Sequence, residues 1–269
     1  MKLGFLGMGN MASAIIRSLS SQNIISDNSF YAYDSNPHKL DLLTHETGLR
    51  SCSSAYDLIN QVDALFLAVK PDVIPSLLTE LRTDLEQKNC LIISIAAGIS
   101  LKRLEQLTGT DRAIIRAMPN INLTIGEGMS AVCSNAMATR DQTDYVLKIF
   151  NTCGKAIELE EKHFSTFTAL AGSSPAFVYL FIDSLARAAV KHGLPKDLAT
   201  QIAAQATSGS AKMLMEGKDN PWTLIDKVCS PGGTTVAGLL ALEERNFIAT
   251  IVNGIDATIA REKELQTLS

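Results

Sequence analysis

Residues 2–19 constrain the fold more than any other stretch. Lys2 to Leu6 is apolar enough for a buried strand, Gly7-Met8-Gly9-Asn10-Met11-Ala12 follows, and Ala14, Ile15, Ile16 and Leu19 then fall at helical spacing. A strand, a Gly-x-Gly-x-x-Ala turn and a helix in that order are the opening of a dinucleotide-binding βαβ unit. Gly7 permits the tight turn, Gly9 leaves bare backbone for a pyrophosphate, and Ala12 lets helix and strand pack closely, with the helix N-terminus facing the anion. A ligand-free glycine turn is the competing reading, and the position between a first strand and a first helix favours the dinucleotide. Leu6 to Ala12 are therefore expected to contact the cofactor.

The first half goes on alternating strand and helix. Strands are predicted at Phe30–Tyr33, Leu49–Cys52, Ala64–Val69, Leu91–Ile95, Ala113–Met118, Met129–Ser134 and Ala156–Leu159, with helices at Pro37–Glu46, Ala55–Gln61 and Thr139–Phe150. Such alternation implies a parallel, doubly wound sheet whose ligands lie beyond the carboxyl ends of its strands. Those ends carry Asp34, Ser35 and Asn36, then Ala68, Val69, Lys70 and Pro71, then Ala96, Ala97 and Gly98, whose small side chains suit a flat ring against the backbone. Asp34 is expected to accept from a free ribose 2′-hydroxyl and to repel a 2′-phosphate, whereas Ser35, Asn36, His38 and Lys39 offer donors to that phosphate. The loop alone leaves NADPH and NADH both open. A polar helix cap at Asp34–Asn36 and a solvated Lys70 are the plainer alternatives.

Beyond Glu160-Glu161-Lys162 the strand pattern stops, which predicts domains at 1–160 and 161–269. Pro175–His192 and Pro195–Met215 carry helical spacing, and alanines 186, 188, 189, 203, 204, 206 and 211 make them apolar on more than one face. One chain has too few helices to bury such faces, so two chains are expected to interleave their second domains, with a monomeric bundle as the alternative. The last helix, Asn246–Leu265, repeats Ile248, Ile251, Val252, Ile255 and Ile259, and its apolar stripe reads as core.

Charge and cysteine usage exclude other classes. A net charge of −4 with no basic cluster argues against a nucleic-acid partner. The five cysteines lack metal-ligand spacing and are odd in number, so they read as free thiols, and no metal site is expected. Neither Leu91–Ile99 nor Ala169–Val190, which Asp183 and Arg187 interrupt, reads as a membrane span, and no basic and apolar leader precedes the first strand. A cytoplasmic protein is expected.

Ser230-Pro231-Gly232-Gly233-Thr234-Thr235 is a second anion cradle, with paired glycines to converge backbone N–H groups and Thr234 or Thr235 available to cap the helix that follows. Together with Gly4–Ala12, Ala68–Pro71, Ser94–Gly98, Arg116-Ala117-Met118-Pro119-Asn120 and Ala171–Ala176, it makes the chain similar to the pyrroline-5-carboxylate reductase family over essentially its full length. The departures are Ser174 where that family usually has glycine, Ile121-Asn122 where it usually has Thr-Pro, and the acidic Asp34. Ser174 is expected to crowd the pocket or to demand an altered backbone angle.

The resemblance implies a Rossmann-type domain followed by a helical, dimer-forming, substrate-binding domain, and hydride transfer from NADPH, or alternatively NADH, to the C=N bond of L-1-pyrroline-5-carboxylate to give L-proline. It also implies that the Thr235 hydroxyl meets the ring nitrogen. Ser230 and the Gly232, Gly233 and Thr234 backbone would receive the carboxylate, and Ser173 would touch substrate. Lys70 is expected to position cofactor or substrate. Two alternatives stand beside this reading: a β-hydroxyacid or 6-phosphogluconate type dehydrogenase using Lys191, and a non-catalytic cofactor sensor of the same fold.

Overall fold

The computed structural model describes residues 1–21 and 30–268, so Ser269, the end of the expected second domain, lies outside the described residues. The chain divides into a compact unit of Met1–Ser173 joined by the stretch from Thr258, and a second unit of Ser174–Ala257.

In the first unit β1 (Leu3–Leu6), α1 (Asn10–Ser21), β2 (Phe30–Tyr33), α2 (His38–Thr47), β3 (Arg50–Ser51), α3 (Ala55–Gln61), β4 (Ala64–Leu67), α4 (Ile74–Glu80), α5 (Arg82–Gln87), β5 (Leu91–Ser94), α6 (Leu101–Thr108), β6 (Ile114–Met118), β7 (Gly128–Ser134), α7 (Arg140–Asn151), β8 (Gly154–Glu158) and α8 (Phe164–Phe167) follow in order. The strands lie as β3-β2-β1-β4-β5-β6-β7-β8, so the order reverses between β1 and β4, where a doubly wound sheet opens its ligand crevice. Central strands buried on both faces read as unbroken apolar runs, as in Leu3–Leu6 and Ala64–Leu67. Alternate residues feed two cores: Leu3, Phe5, Phe66 and Ile93 pack with α1, α2 and α7, while Leu6, Leu65, Leu67 and Ile92 pack with residues of α3, α4 and α6. Phe5 and Phe66 stack across neighbouring strands at 4.6 Å.

The sheet is not wholly parallel, as the alternation had implied, because β7 runs antiparallel to β6. Only residues 119–127 separate the two strands, including a short 3-10 turn, Ile121–Ile125, and the left-handed Gly126 (φ 76°), and that is too little chain for a crossover. Helix starts follow local chemistry elsewhere: Ser54 and Ser100 each accept an N–H from the first turn of α3 and α6, and Thr139 with Gln142 forms a capping box on α7.

The second unit is helical: α9 (Ser174–Lys191), α10 (Lys196–Glu216), α11 (Pro221–Val228) and α12 (Thr234–Glu244), with α13 (Phe247–Leu268) beginning in it and ending in the first. Among the described residues it buries little of itself. On α9 only Pro175 and Ala186 are buried, on α10 only Ala199 and Ala203, and on α11 and α12 none. Tyr179, Leu180, Ile202, Trp222 and Leu240 are all more than half exposed. The stripe on α13 that reads as core is not core within one chain, for Ile248 and Val252 are 58% and 50% exposed. The helical period is present, and Ile255 and Ile259 further along it are half-buried. The helical stretch Glu161–Lys191 is also long and apolar enough to cross a membrane by length and composition, despite Asp183 and Arg187.

Candidate active site

Four of the expected clusters meet at the carboxyl ends of adjacent strands. The Gly7 N–H donates to the Tyr33 carbonyl at 2.9 Å, the Ala68 N–H to Leu6 at 2.8 Å, and the Ile95 N–H to Leu67 at 3.3 Å. These bonds align the turns after β2, β1, β4 and β5 along one edge, so Leu6–Ala12, Asp34–Asn36, Ala68–Pro71 and Ala96–Gly98 share it. Gly7 sits at φ 90°, and a Cβ there would stand 2.7 Å from Val69 Cγ1 and 2.9 Å from the Ala68 carbonyl. The turn itself therefore demands that glycine. Gly9 differs, because a Cβ on it would meet no protein atom within 4 Å. No packing explains it, and open space over bare backbone at the start of α1 fits a pyrophosphate. Gly98, at φ 78°, has equally open space, and Ala97 beside it is exposed. Lys70 is exposed at the start of a 3-10 turn, Pro71–Val73, with no ion-pair partner among the described residues.

The Asp34 carboxylate is turned inward. It is 8% exposed, its carboxylate accepts the N–H of Met8 at 2.7 Å and of Asn36 at 2.9 Å, and Lys39 Nζ lies 3.3 Å away. Burial alone would raise its pKa, but the two N–H donors and Lys39 together hold the carboxyl below its usual value. A carboxylate so engaged organises its loop. Ser35, Asn36, His38 and Lys39 remain exposed on the outer side. A groove of about 730 Å³ runs from Met8 and Asn10 past Lys39 along α1, and the β4 and β5 turns lie outside it.

Ser173 ends a π-helical turn, Thr168–Ser173, that leads into α9. Such turns free backbone carbonyls and recur at functional sites. Here the Asn120 side chain donates to the Ala171 carbonyl at 2.9 Å and accepts the Met129 N–H at 3.1 Å, tying the turn to the end of β6. Ser174 opens α9 without a left-handed backbone angle. Ile121 and Asn122 lie in the 3-10 turn that leads from β6 to β7.

In the second unit Gly232 turns the chain at φ 69°, the Gly233 N–H donates to the Ser230 carbonyl at 3.0 Å, and a Cβ on Gly233 would collide with the Ser230 side chain. Gly233 itself is the N-cap of α12, with no side-chain cap. The capping role open to Thr234 or Thr235 is therefore not taken. Both threonines stand exposed in the first turn, where N–H groups lack intrahelical acceptors, and neither hydroxyl has a partner among the described residues.

Sequence reasoning placed Arg116 in a shared motif but gave it no role. It is 2% exposed inside an apolar strand, its guanidinium meets Glu161 at 2.8 Å and lies 4.6 Å from the Phe164 ring centroid. An arginine within an otherwise apolar run, Ile114-Ile115-Arg116-Ala117-Met118, was the available signal. Four cysteines are buried and all five are free, as expected; burial pushes the Cys133 thiol up to about 12 and the Cys52 thiol to about 11, which makes both inert. No cluster of metal ligands occurs among the described residues.

Residues 161–265 match the family model described as pyrroline-5-carboxylate reductase dimerisation, and residues 2–98 match one described as NADP oxidoreductase, coenzyme F420-dependent. The chain is 38% identical to the pyrroline-5-carboxylate reductase of Escherichia coli strain K12, covering 98% of each. Among solved structures it is similar to the pyrroline carboxylate reductase of Plasmodium falciparum, crystallised with NADP bound, at 35% identity and a TM-score of 0.88 over 99% of this chain and 98% of that one. It is also similar to the 1-pyrroline-5-carboxylate reductase of Streptococcus pyogenes, at 39% identity and a TM-score of 0.87 over 98% of each.

Proposed function

The chain belongs to the pyrroline-5-carboxylate reductase family, and on that premise we propose how its residues divide the reduction of L-1-pyrroline-5-carboxylate to L-proline. It is an oxidoreductase of proline biosynthesis, and the full-length match at 38% identity carries that assignment. The dehydrogenase and cofactor-sensor alternatives fall away with it. Lys191, on which the first depended, is an exposed residue at the end of α9.

Bound NADPH supplies the hydride. The protein's own work is to hold the imine ring in place and to stabilise the proton that makes its nitrogen an iminium, which accepts hydride far better than a neutral imine. Leu6 to Ala12 would receive the pyrophosphate on Gly9 and the first N–H groups of α1, with Ala96, Ala97 and Gly98 beside the nicotinamide and Lys70 as a positioning cation. For the substrate, Ser230, Gly232, Gly233 and Thr234 would cradle the carboxylate, and the Thr235 hydroxyl would hydrogen-bond the ring nitrogen. Ser173 would complete the substrate contacts. The role of Thr235 is supported by one observation above others: Gly233 caps α12, which leaves the threonine hydroxyl without structural employment.

The second part of the chain is a dimerisation domain, here taken to begin at residue 161. Two copies interleaving their helices would cover the apolar faces of α9 to α13, which we read as subunit interface and not as membrane surface. Free thiols throughout suit a reducing compartment such as the cytoplasm.

Thr235→Val tests the assignment. Loss of a hydrogen bond to a charged transition state costs about 1.5–3 kcal/mol, roughly ten- to a hundredfold in kcat, with melting unchanged. Unchanged turnover with a lowered melting temperature would make Thr235 structural.

A further inference from the structure

An aspartate at the carboxyl end of the second strand of a dinucleotide fold ordinarily binds ribose hydroxyls and turns a 2′-phosphate away. Asp34 is built into a different arrangement. One oxygen, Oδ2, accepts the Met8 N–H at 2.7 Å and meets Lys39 Nζ at 3.3 Å, while Oδ1 accepts the Asn36 N–H at 2.9 Å. The Asp34 side chain is 7% exposed and that of Lys39 is 49% exposed, so the cation is the outward member of the pair. An ammonium carries three N–H donors, and Asp34 takes only one of those on Lys39. The others are available to an anion arriving from solvent. Met8, Asn10 and Lys39 line one groove, which puts the cation on the same surface as the start of α1.

We propose that Lys39 selects the 2′-phosphate of NADPH, and that Asp34 is a positioning residue which holds Lys39 and the Met8 turn in place. The inference rests on the NADPH reading above and assigns the preference to a side chain. Electrostatics favour it, because the charges of Asp34 and Lys39 compensate each other and the positive end is the one presented. An aspartate in the outward, hydroxyl-reading orientation would present a bare negative charge to the phosphate. Here the two N–H bonds from Met8 and Asn36 hold the carboxylate inward. Asp34 thereby ties the end of β2 to the glycine turn after β1, so its loss should weaken any dinucleotide, phosphorylated or not.

Calorimetric titration with adenosine 2′,5′-bisphosphate and with 5′-AMP separates these roles, using wild type, Lys39→Met, Lys39→Arg and Asp34→Asn, each checked for an unchanged circular dichroism spectrum. Wild type is expected to bind the bisphosphate at least about tenfold more tightly, Lys39→Met to bring the two ligands within about threefold, and Lys39→Arg to restore most of the difference. Asp34→Asn is expected to weaken both ligands by similar factors, with their ratio held within about threefold. A wild-type ratio in Lys39→Met overturns the selection role. Unchanged affinities in Asp34→Asn, or a bisphosphate preference raised about tenfold, overturn the positioning role and restore the aspartate as a phosphate-rejecting group. If wild type shows no preference and no binding of NADPH, the cofactor reading itself fails, a result distinct from either.

Discussion

Replacing Gly9 by alanine separates what the dinucleotide turn needs for folding from what it needs for binding. A Cβ at Gly9 meets no protein atom within 4 Å, and the backbone there is not in the left-handed region. Nothing in the fold opposes the methyl group, and at a compatible position Gly→Ala stabilises by about 0.4–1 kcal/mol by restricting the unfolded chain. The free protein should therefore melt at the wild-type temperature or roughly 2–4 °C above it. Affinity for NADPH should move the other way, by about tenfold or more, which is about 1.4 kcal/mol, because the methyl occupies the space where the pyrophosphate rests on bare backbone. Gly7→Ala is the contrast. With φ at 90° and a Cβ placed 2.7 Å from Val69 Cγ1, it should destabilise even the free protein, by roughly 1–3 kcal/mol. Differential scanning calorimetry of the free proteins and titration with NADPH read both quantities. NADPH binding of wild-type strength in Gly9→Ala would refute the cradle, and a fall of several degrees in its melting temperature would refute the claim that Gly9 has no packing role.

Other perturbations have equally definite outcomes. Glu161→Ala leaves the Arg116 guanidinium buried without its ion-pair partner and should cost about 3–5 kcal/mol in denaturant unfolding; a loss below about 1 kcal/mol would show that the pair is solvated. Ile251→Asp puts a charge on the exposed stripe of α13 and should shift sedimentation from an oligomer to monomer, whereas an unchanged sedimentation coefficient would place that stripe outside the interface. Asp34, whose pKa is lowered in the fold, contributes stability that is present above its unfolded pKa and is lost as the pH falls through the folded value. The difference in melting temperature between wild type and Asp34→Asn should accordingly shrink on acidification below about pH 4, and a difference that grew there would reverse the sign.

Much of the first unit was legible because its signals are local. A buried strand, a glycine turn and a helical stripe need no knowledge of distant residues, so β1, α1 and the strand ends at Asp34, Lys70 and Gly98 follow from residues 2–98 alone. The antiparallel β7 was hidden, because Met129–Ser134 has the same apolar character whichever way it runs and only the shortness of the connection sets its direction. The orientation of Asp34 was hidden for a different reason. Its residue type and position suit a ribose-binding aspartate as well as a helix cap, and the bond from the Met8 N–H, 26 residues earlier in sequence, is a contact that local pattern does not foretell. The stripe on α13 was visible as a period, but a period cannot distinguish burial within one chain from burial between two. Likewise Thr235 had a capping reading until the backbone of Gly233 took that position.

The most direct measurement is a coupled one: purified protein, NADPH and L-1-pyrroline-5-carboxylate, with loss of the reduced nicotinamide absorbance followed alongside L-proline by chromatography. One proline formed per NADPH oxidised, with the rate lowered roughly ten- to a hundredfold in Thr235→Val, is the predicted result. Protein that binds NADPH and is oligomeric, yet oxidises it no faster with the imine than without, would contradict the account.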